Sequence, residues 1–113
     1  MPQRGSAVRV TQIDFKSLLR DSATLPRTTV LVRESGLRAL LLHLHAGESM
    51  AEHKTPGAMT VQSLQGEIAF SAGEETFQLT PGVLISLPPH QPHSLRAEQE
   101  ALLLVTLSEQ LKP

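Results

Sequence analysis

The stretch GESMAEHKTPGAMTVQSLQG, residues 47–66, decides the fold of this chain. It begins at Gly47, passes through His53 and a proline-glycine turn, and then follows a strand pattern that ends at Gly66. Glycine and proline at such places mark the ends of short extended segments, and the alternation of apolar and polar side chains is typical of a strand with one buried face. A histidine beside the turn is a good ligand for transition-metal ions. The stretch therefore predicts a β structure with a chemically active group near one of its turns.

Short strand patterns fill the rest of the chain from Thr28 onward, and turn residues separate them. The segments are TTVLVRE (28–34), LRALLLHLHA (37–46), AMTVQSLQ (58–65), EIAFSA (67–72), ETFQLT (75–80), VLISLP (83–88), HSLRA (93–97) and ALLLVTL (101–107). The first two are separated by Ser35-Gly36, which is a hairpin signal. Short strands at near-regular spacing predict an all-β sandwich or barrel rather than a parallel α/β sheet.

The segment ahead of the strands has a different pattern. DFKSLLR, residues 14–20, predicts one short helix, because Asp14 can cap it and its apolar residues share a face. An irregular arm precedes this helix. We therefore divide the chain into an N-terminal arm with a short helix, residues 1–27, and a β-barrel domain, residues 28–113, which together form a single domain.

Composition narrows the classes of function. A chain of 113 residues with 40% hydrophobic and 19% charged residues suits one globular domain. The net charge of −1 predicts no binding to nucleic acid or to an anionic membrane. The absence of cysteine excludes disulfides and thiolate metal sites, and the absence of Trp and Tyr disfavours sugar or nucleobase stacking. The first ten residues lack the apolar core of a secretion signal, so we expect a cytoplasmic protein.

Two segments carry glycines and histidines at the spacing of the two cupin motifs. The first motif, G-x5-H-x-H-x3-E-x6-G, matches Gly47, His53 and Gly66. The second, G-x5-P-x-G-x2-H-x3-N, matches Gly82 and His93. The chain therefore resembles the cupin superfamily, and in particular the small single-domain bacterial cupins. This resemblance implies a double-stranded β-helix of the RmlC-like jelly-roll type, with a pocket inside one end of the barrel, and a homodimer.

Departures from these motifs weaken the metal site that the resemblance implies. In metal-binding cupins, the two histidines and the glutamate of the first motif bind one ion together with the histidine of the second. Here Thr55 stands at the second histidine and Met59 at the glutamate, which leaves His53 and His93. A hydroxyl is a poor ligand for such ions, and a thioether suits Cu(I) rather than Fe(II) or Zn(II). The second motif also has His90 at its turn glycine and Ala97 at its asparagine.

A divalent ion such as zinc, iron or nickel, held by His53 and His93, would need a further ligand, because catalytic sites usually supply three. The possible donors are His43, His45, Gln62 and His90, and the spacing of the first two on a predicted strand points both to the same face. If that face lines the pocket, four histidines form one cluster. If it faces solvent or a partner subunit, the two are surface residues. The opposite face consists of leucines and is the better core lining, so we favour the surface interpretation.

Three hypotheses about function follow. We favour a small cupin whose pocket binds a small molecule and is lined by His53, Thr55, Met59, Val61 and His93, since Met in place of a carboxylate makes the pocket more apolar. The alternative is an enzyme, either a metal-dependent oxygenase or isomerase with His53 and His93 as ligands, or a metal-free one with either histidine as general base. The third is a dimeric barrel whose pocket is filled by its own side chains.

Overall fold

The computed structural model describes residues 10–109, and β-strands make up most of them. The elements are the helix α1 (Phe15–Arg20), a 3-10 turn (Ser22–Thr24) and the strands β1 (Thr28–Glu34), β2 (Leu37–Leu44), β3 (Ser49–His53), β4 (Met59–Gln65), β5 (Ile68–Ala72), β6 (Glu75–Leu79), β7 (Leu84–Leu87), β8 (His93–Ala97) and β9 (Ala101–Ser108). The predicted N-terminal arm falls largely on residues 1–9, which lie outside the described residues. Across residues 10–109, no helix has the length and apolar character needed to cross a membrane.

Helix α1 begins at the cap that the sequence predicts. The Asp14 carboxylate accepts a hydrogen bond from the backbone N–H of Lys16 at 3.0 Å, which satisfies a donor that has no partner inside the helix. Arg20 lies in the last turn, where a cation complements the carbonyl end of the helix. The helix and the 3-10 turn lead the chain through Leu25 into β1.

The strands form two antiparallel sheets with the core between them. The five-stranded sheet has the order β1-β2-β9-β4-β7, and the four-stranded sheet has the order β3-β8-β5-β6. Both sheets contribute buried apolar side chains to one cluster, among them Leu42, Leu44, Ile68, Phe70 and Leu103. This arrangement confirms the all-β jelly roll. Within the described residues the two sheets form an open sandwich and do not close into a barrel.

Sequence reasoning missed one strand, β3, and that strand positions a site residue. Its sequence, SMAEH, has a single large apolar side chain, so no alternation marks it as a strand. It forms an edge of the four-stranded sheet and pairs with β8. In this register His53 lies opposite His93, and the ladder is irregular between Met50 and His53. The other strands fall on the predicted segments and differ from them by at most two residues at either end.

The turn before β8 keeps a left-handed backbone although its motif glycine is replaced. His90 has a φ of +65°, and among residues 10–109 it is the only residue other than glycine with a positive φ. This conformation costs an L-residue about 1–2 kcal/mol, because its Cβ approaches the following carbonyl oxygen. The backbone N–H of His90 donates to the Thr55 carbonyl at 2.8 Å. The hydrogen bond ties this turn to the turn between β3 and β4.

Two glycines of the first motif have positive φ but differ in their surroundings. Gly47 has a φ of +89°, and a Cβ built on it would meet nothing within 4 Å. Gly66 has a φ of +86°, and a Cβ there would overlap the backbone of Glu100 and Ala101 at the start of β9. Gly47 is therefore needed for its conformation alone, whereas Gly66 is also needed for a close approach between two backbones.

These two positions form a matched pair for a stability measurement. We expect Gly47→Ala to lower the free energy of unfolding by about 1 kcal/mol through backbone strain. We expect Gly66→Ala to cost about 1–3 kcal/mol more, because overlap with the backbone of Glu100 forces a local shift. Urea unfolding followed by circular dichroism measures both variants. Equal losses at the two positions would contradict the role assigned to the close approach.

Candidate functional site

An interior cavity of about 260 Å³ lies between the two sheets. Most of its lining is apolar; the full set is Thr28, Leu40, Leu42, Met50, His53, Thr55, Met59, Val61, Phe70, His93, Leu95, Val105 and Leu107. All of the pocket residues expected from the sequence are in this set, and a ligand at them stays a prediction. A larger groove of about 880 Å³ follows β6 and β7 on the surface, but its lining contains no imidazole. We therefore place the candidate site in the interior cavity.

Two histidines meet in the wall of this cavity because β3 pairs with β8. The ring centroids of His53 and His93 are 4.3 Å apart, and the rings meet edge to face at 62°. His93 is 2% exposed, and its ring stacks on Phe70 at a centroid distance of 5.6 Å. His53 is exposed. His53 therefore lies at the mouth of the cavity, while His93 lies inside it.

Hydrogen bonds to the backbone set the proton positions on both rings. The Nδ1 atom of His53 lies 2.9 Å from the Ala51 carbonyl oxygen, and the Nδ1 atom of His93 lies 2.9 Å from the Gln91 carbonyl oxygen. A carbonyl oxygen only accepts, so each Nδ1 carries the proton, and each neutral ring keeps a lone pair on Nε2. The Nε2 atom of His93 is buried and has no hydrogen-bond partner among the described residues. A buried acceptor without a partner is costly, which marks this atom as a place where a ligand gains a hydrogen bond.

Thr55 and Met59 close the wall of the cavity instead of completing a ligand set. The Thr55 hydroxyl donates to the Gly57 carbonyl at 3.1 Å and also lies 3.6 Å from the sulfur of Met59. Met59 is buried in the core cluster, and its thioether is a soft ligand. Only two imidazoles are left, fewer than the three protein ligands of a typical catalytic ion. The residues present in the cavity therefore do not fit the catalytic metal centre that the cupin motifs imply.

A second group of ionisable side chains lies near the C-terminal end of β2. The Nε2 atom of His43 is 2.7 Å from Oε2 of Glu100, and Nδ1 of His45 is 3.8 Å from the same oxygen. One ligand atom from each of the three residues lies within 4.8 Å of the others, so the group could hold a metal ion. The Leu25 carbonyl raises the pKa of His43 most strongly; burial lowers this pKa, and Glu100 raises it.

The alternation of β2 separates this second group from the cavity. Leu40 and Leu42 line the cavity, whereas His43 and His45 are absent from its lining. The structure therefore does not bring the two pairs of histidines together. His45 is exposed, as the surface interpretation expects. His43 is only 4% exposed, which that interpretation did not expect, and its Nδ1 donates to the Leu25 carbonyl at 2.9 Å. The segment ahead of β1 covers this face, and the sequence pattern gave no sign of that cover.

Sequence reasoning also missed Glu100 as a functional candidate. Glu100 immediately precedes β9, and β9 pairs with β2 so that His43 lies opposite Leu102. An antiparallel pairing of the two apolar segments 37–46 and 101–107 would have indicated it, because such a pairing brings the start of the second segment beside the end of the first. Phe70 was likewise outside the expected pocket, although its alternation with Ile68 placed both on one inward face.

Comparisons with known proteins agree with this fold. The family model of the cupin domain matches residues 40–107. A crystal structure of a protein from Thermus thermophilus is 28% identical, with a TM-score of 0.73 over 90% of this chain and 100% of that chain. A conserved protein of unknown function from Streptococcus pyogenes is 25% identical, with a TM-score of 0.69 over 75% of each chain. A cupin superfamily protein from Desulfitobacterium hafniense is 20% identical, with a TM-score of 0.70 over 74% of this chain and 76% of that chain. No curated protein matches the sequence.

The proton positions on the cavity histidines can be measured directly. In protein treated with a chelator, long-range ¹H–¹⁵N spectra of the neutral rings should show Nδ1 protonated and Nε2 unprotonated for His53 and His93, since backbone carbonyls accept from both Nδ1 atoms. His90 is exposed in a turn and serves as the control, for which we expect a mixture of the two tautomers. A protonated Nε2 on neutral His93 would contradict the assignment.

Proposed function

The chain belongs to the cupin domain family, and from this premise we propose that its interior cavity binds a small, largely apolar molecule through a hydrogen-bond donor group. The observation that carries the proposal is the buried Nε2 atom of His93, an acceptor without a partner among the described residues, in the wall of an apolar cavity. His53 supplies a second acceptor at the mouth. Binding, rather than a named reaction, is therefore the function that this site supports best.

The volume of the cavity limits the size of the ligand. Small-molecule pockets usually measure about 300–1,000 Å³, and a cavity of about 150 Å³ already accepts benzene. A cavity of about 260 Å³ thus suits a molecule of one ring or a short branched chain. The leucine, methionine and valine side chains around it favour an apolar body, whose transfer from water contributes about 25 cal/mol per Å² of buried surface.

The histidine pair determines the polar part of the ligand. Because both Nδ1 protons bond to backbone carbonyls, the neutral rings offer lone pairs and no protons at Nε2. A carboxylate would bring its own lone pairs against them. A hydroxyl group can donate to His93 Nε2, and water at the mouth can satisfy His53. We therefore expect alcohols or phenols to bind in preference to anions or plain hydrocarbons.

The alternative of a metal-dependent oxygenase or isomerase at His53 and His93 has less support. The observation in favour of this alternative is that the two unprotonated Nε2 atoms are good ligands for zinc, iron or nickel. The hydroxyl of Thr55 already donates to a backbone carbonyl, and Met59 offers only sulfur. A metal-free enzyme with His93 as general base needs a substrate proton at the same Nε2 atom, so it would share the ligand class proposed here.

Phenol and toluene are matched probes for the proposed site, because the hydroxyl group of phenol takes the place of the methyl group of toluene on the same ring. We expect phenol to bind the wild-type chain about 2- to 12-fold more tightly than toluene, which is the effect of one net hydrogen bond. In His93→Phe the acceptor is lost while an aromatic ring remains against Phe70, so this preference should vanish. Chemical-shift titration of the Met59 and Val61 methyl groups measures both affinities.

The control for this experiment is His45→Phe, the same change outside the cavity lining. It should leave the preference for phenol unchanged. A preference that survives His93→Phe, or the absence of binding by either probe to the wild-type chain, would contradict the proposed function.

The homodimer implied by the cupin motifs stays a proposal. Exposed Val30 on β1 and Leu37 on β2 support it, because large apolar side chains on a monomer surface favour association. Sedimentation equilibrium of the full chain would test it, and a monomeric mass at all concentrations would contradict it.

A further inference from the structure

We propose that His43, His45 and Glu100 bind a divalent transition-metal ion of the zinc class on the outer face of the five-stranded sheet. This site is separate from the interior cavity, since neither histidine is part of the cavity lining. It also differs from the metal centre implied by the cupin motifs, which would use His53 and His93. The proposal is therefore independent of the ligand proposed for the cavity.

The first argument counts the hydrogens on His43. Its Nδ1 atom faces the Leu25 carbonyl oxygen at 2.9 Å, and its Nε2 atom faces Oε2 of Glu100 at 2.7 Å. Both facing atoms are acceptors, but a neutral imidazole has one N–H. With that proton on Nδ1, the Nε2 lone pair points at a carboxylate oxygen. A cation must therefore lie between the two atoms, and it is either a second ring proton on His43 or a metal ion that displaces this proton and is bound by both atoms.

The second argument is the geometry of a prepared ligand. Ring nitrogens that bind metals usually have their other N–H held by a carbonyl or carboxylate, which fixes the tautomer and the orientation of the ring. Leu25 does this for His43, whose side chain is only 3% exposed and therefore rigid. The backbone N–H of His45 donates to Glu48 at 2.7 Å, which fixes the chain at the third ligand. His43, as a buried and hydrogen-bonded ligand, therefore loses little side-chain entropy on binding.

The third argument concerns the choice of metal and its access. Two imidazoles and one carboxylate are a ligand set that zinc accepts in tetrahedral sites, with the fourth position left to water. The set contains no thiolate or thioether, so it gives no preference for Cu(I). His45 and Glu100 have side chains 68% and 46% exposed, so an ion from solution can reach them. Small rotations of these two exposed side chains can bring their donor atoms to the bonding distance of about 2.0–2.2 Å.

A bound ion would also join parts of the chain that are distant in sequence. His43 lies near the end of β2, Glu100 immediately precedes β9, and Leu25 belongs to the segment ahead of β1. A metal ion that binds the folded state and not the unfolded state raises the free energy of unfolding by mass action. We therefore expect zinc to stabilise the fold as well as to bind.

Zinc titration of the full chain tests the proposal. After treatment with a chelator, calorimetry with zinc chloride should show one equivalent bound per wild-type chain. Removing one ligand, in Glu100→Gln or in His45→Ala, should weaken binding at least about tenfold. His90→Ala is the matched control at an exposed histidine outside the cluster, and it should bind zinc as the wild type does. Cobalt(II) in place of zinc should give the visible absorption of a tetrahedral site in the wild type and not in His45→Ala.

Thermal unfolding with and without zinc provides the second readout. Zinc should raise the Tm of the wild type and of His53→Ala, and leave the Tm of His45→Ala unchanged. Circular dichroism in chelator confirms that each variant is folded, and His45→Ala serves if Glu100→Gln does not fold. Zinc that binds His45→Ala normally but is lost in His53→Ala would overturn the proposal in favour of the cavity. No binding by the wild type would also overturn it and leave His43 and Glu100 as an ion pair.

Discussion

The antiparallel pairing of β3 with β8 is the constraint on which the interior site depends. Without it, His53 and His93 would belong to two distant motifs with no fixed relation. The pairing places them directly opposite each other, and the stack of His93 on Phe70 holds the inner ring in place. The two carbonyls that accept from their Nδ1 atoms belong to the same two chain segments, at Ala51 and Gln91. Strand pairing thus determines the position of the rings, and a backbone carbonyl two residues earlier in each segment accepts from Nδ1.

The alternation of β2 is the second constraint, because it directs Leu40 and Leu42 to the cavity and keeps His43 out of the cavity lining. Both faces of this strand are covered: Leu42 and Leu44 face the core between the sheets, and His43 is covered from outside by the segment at Leu25. A strand covered on both sides is unusual for an antiparallel sheet, in which one face commonly meets solvent. On the outer face, the His43 ring lies between the Leu25 carbonyl and the Glu100 carboxylate, both of which accept hydrogen bonds. A polar residue can be buried on such a face because the groups that cover it are also its hydrogen-bond partners.

Much of this fold could be predicted from the sequence, since glycines and prolines mark turns by a local mechanism. The helix cap at Asp14 and eight of the strands follow from patterns that span only a few residues. The edge strand β3 could not be predicted, because its short polar sequence has no alternation of apolar and polar residues. It is a strand because it pairs with β8. The site shows the same division. Spacing identified His53 and His93, but Glu100 depends on which strands pair, and the cover over His43 depends on a segment without any strand pattern.

The hydrogen bond from His90 to the Thr55 carbonyl has a consequence for the motion of the cavity. Thr55 belongs to the cavity wall, and the bond connects it to the turn that precedes His93. Moving the two turns apart breaks one main-chain hydrogen bond, at a net cost of about 0.5–1.5 kcal/mol, whereas parting the sheets would separate the whole core. A local fluctuation of two surface turns would therefore widen the mouth of the cavity while the sheets stay packed. Such loop motions occur on the nanosecond to microsecond timescale, far faster than global unfolding of a domain.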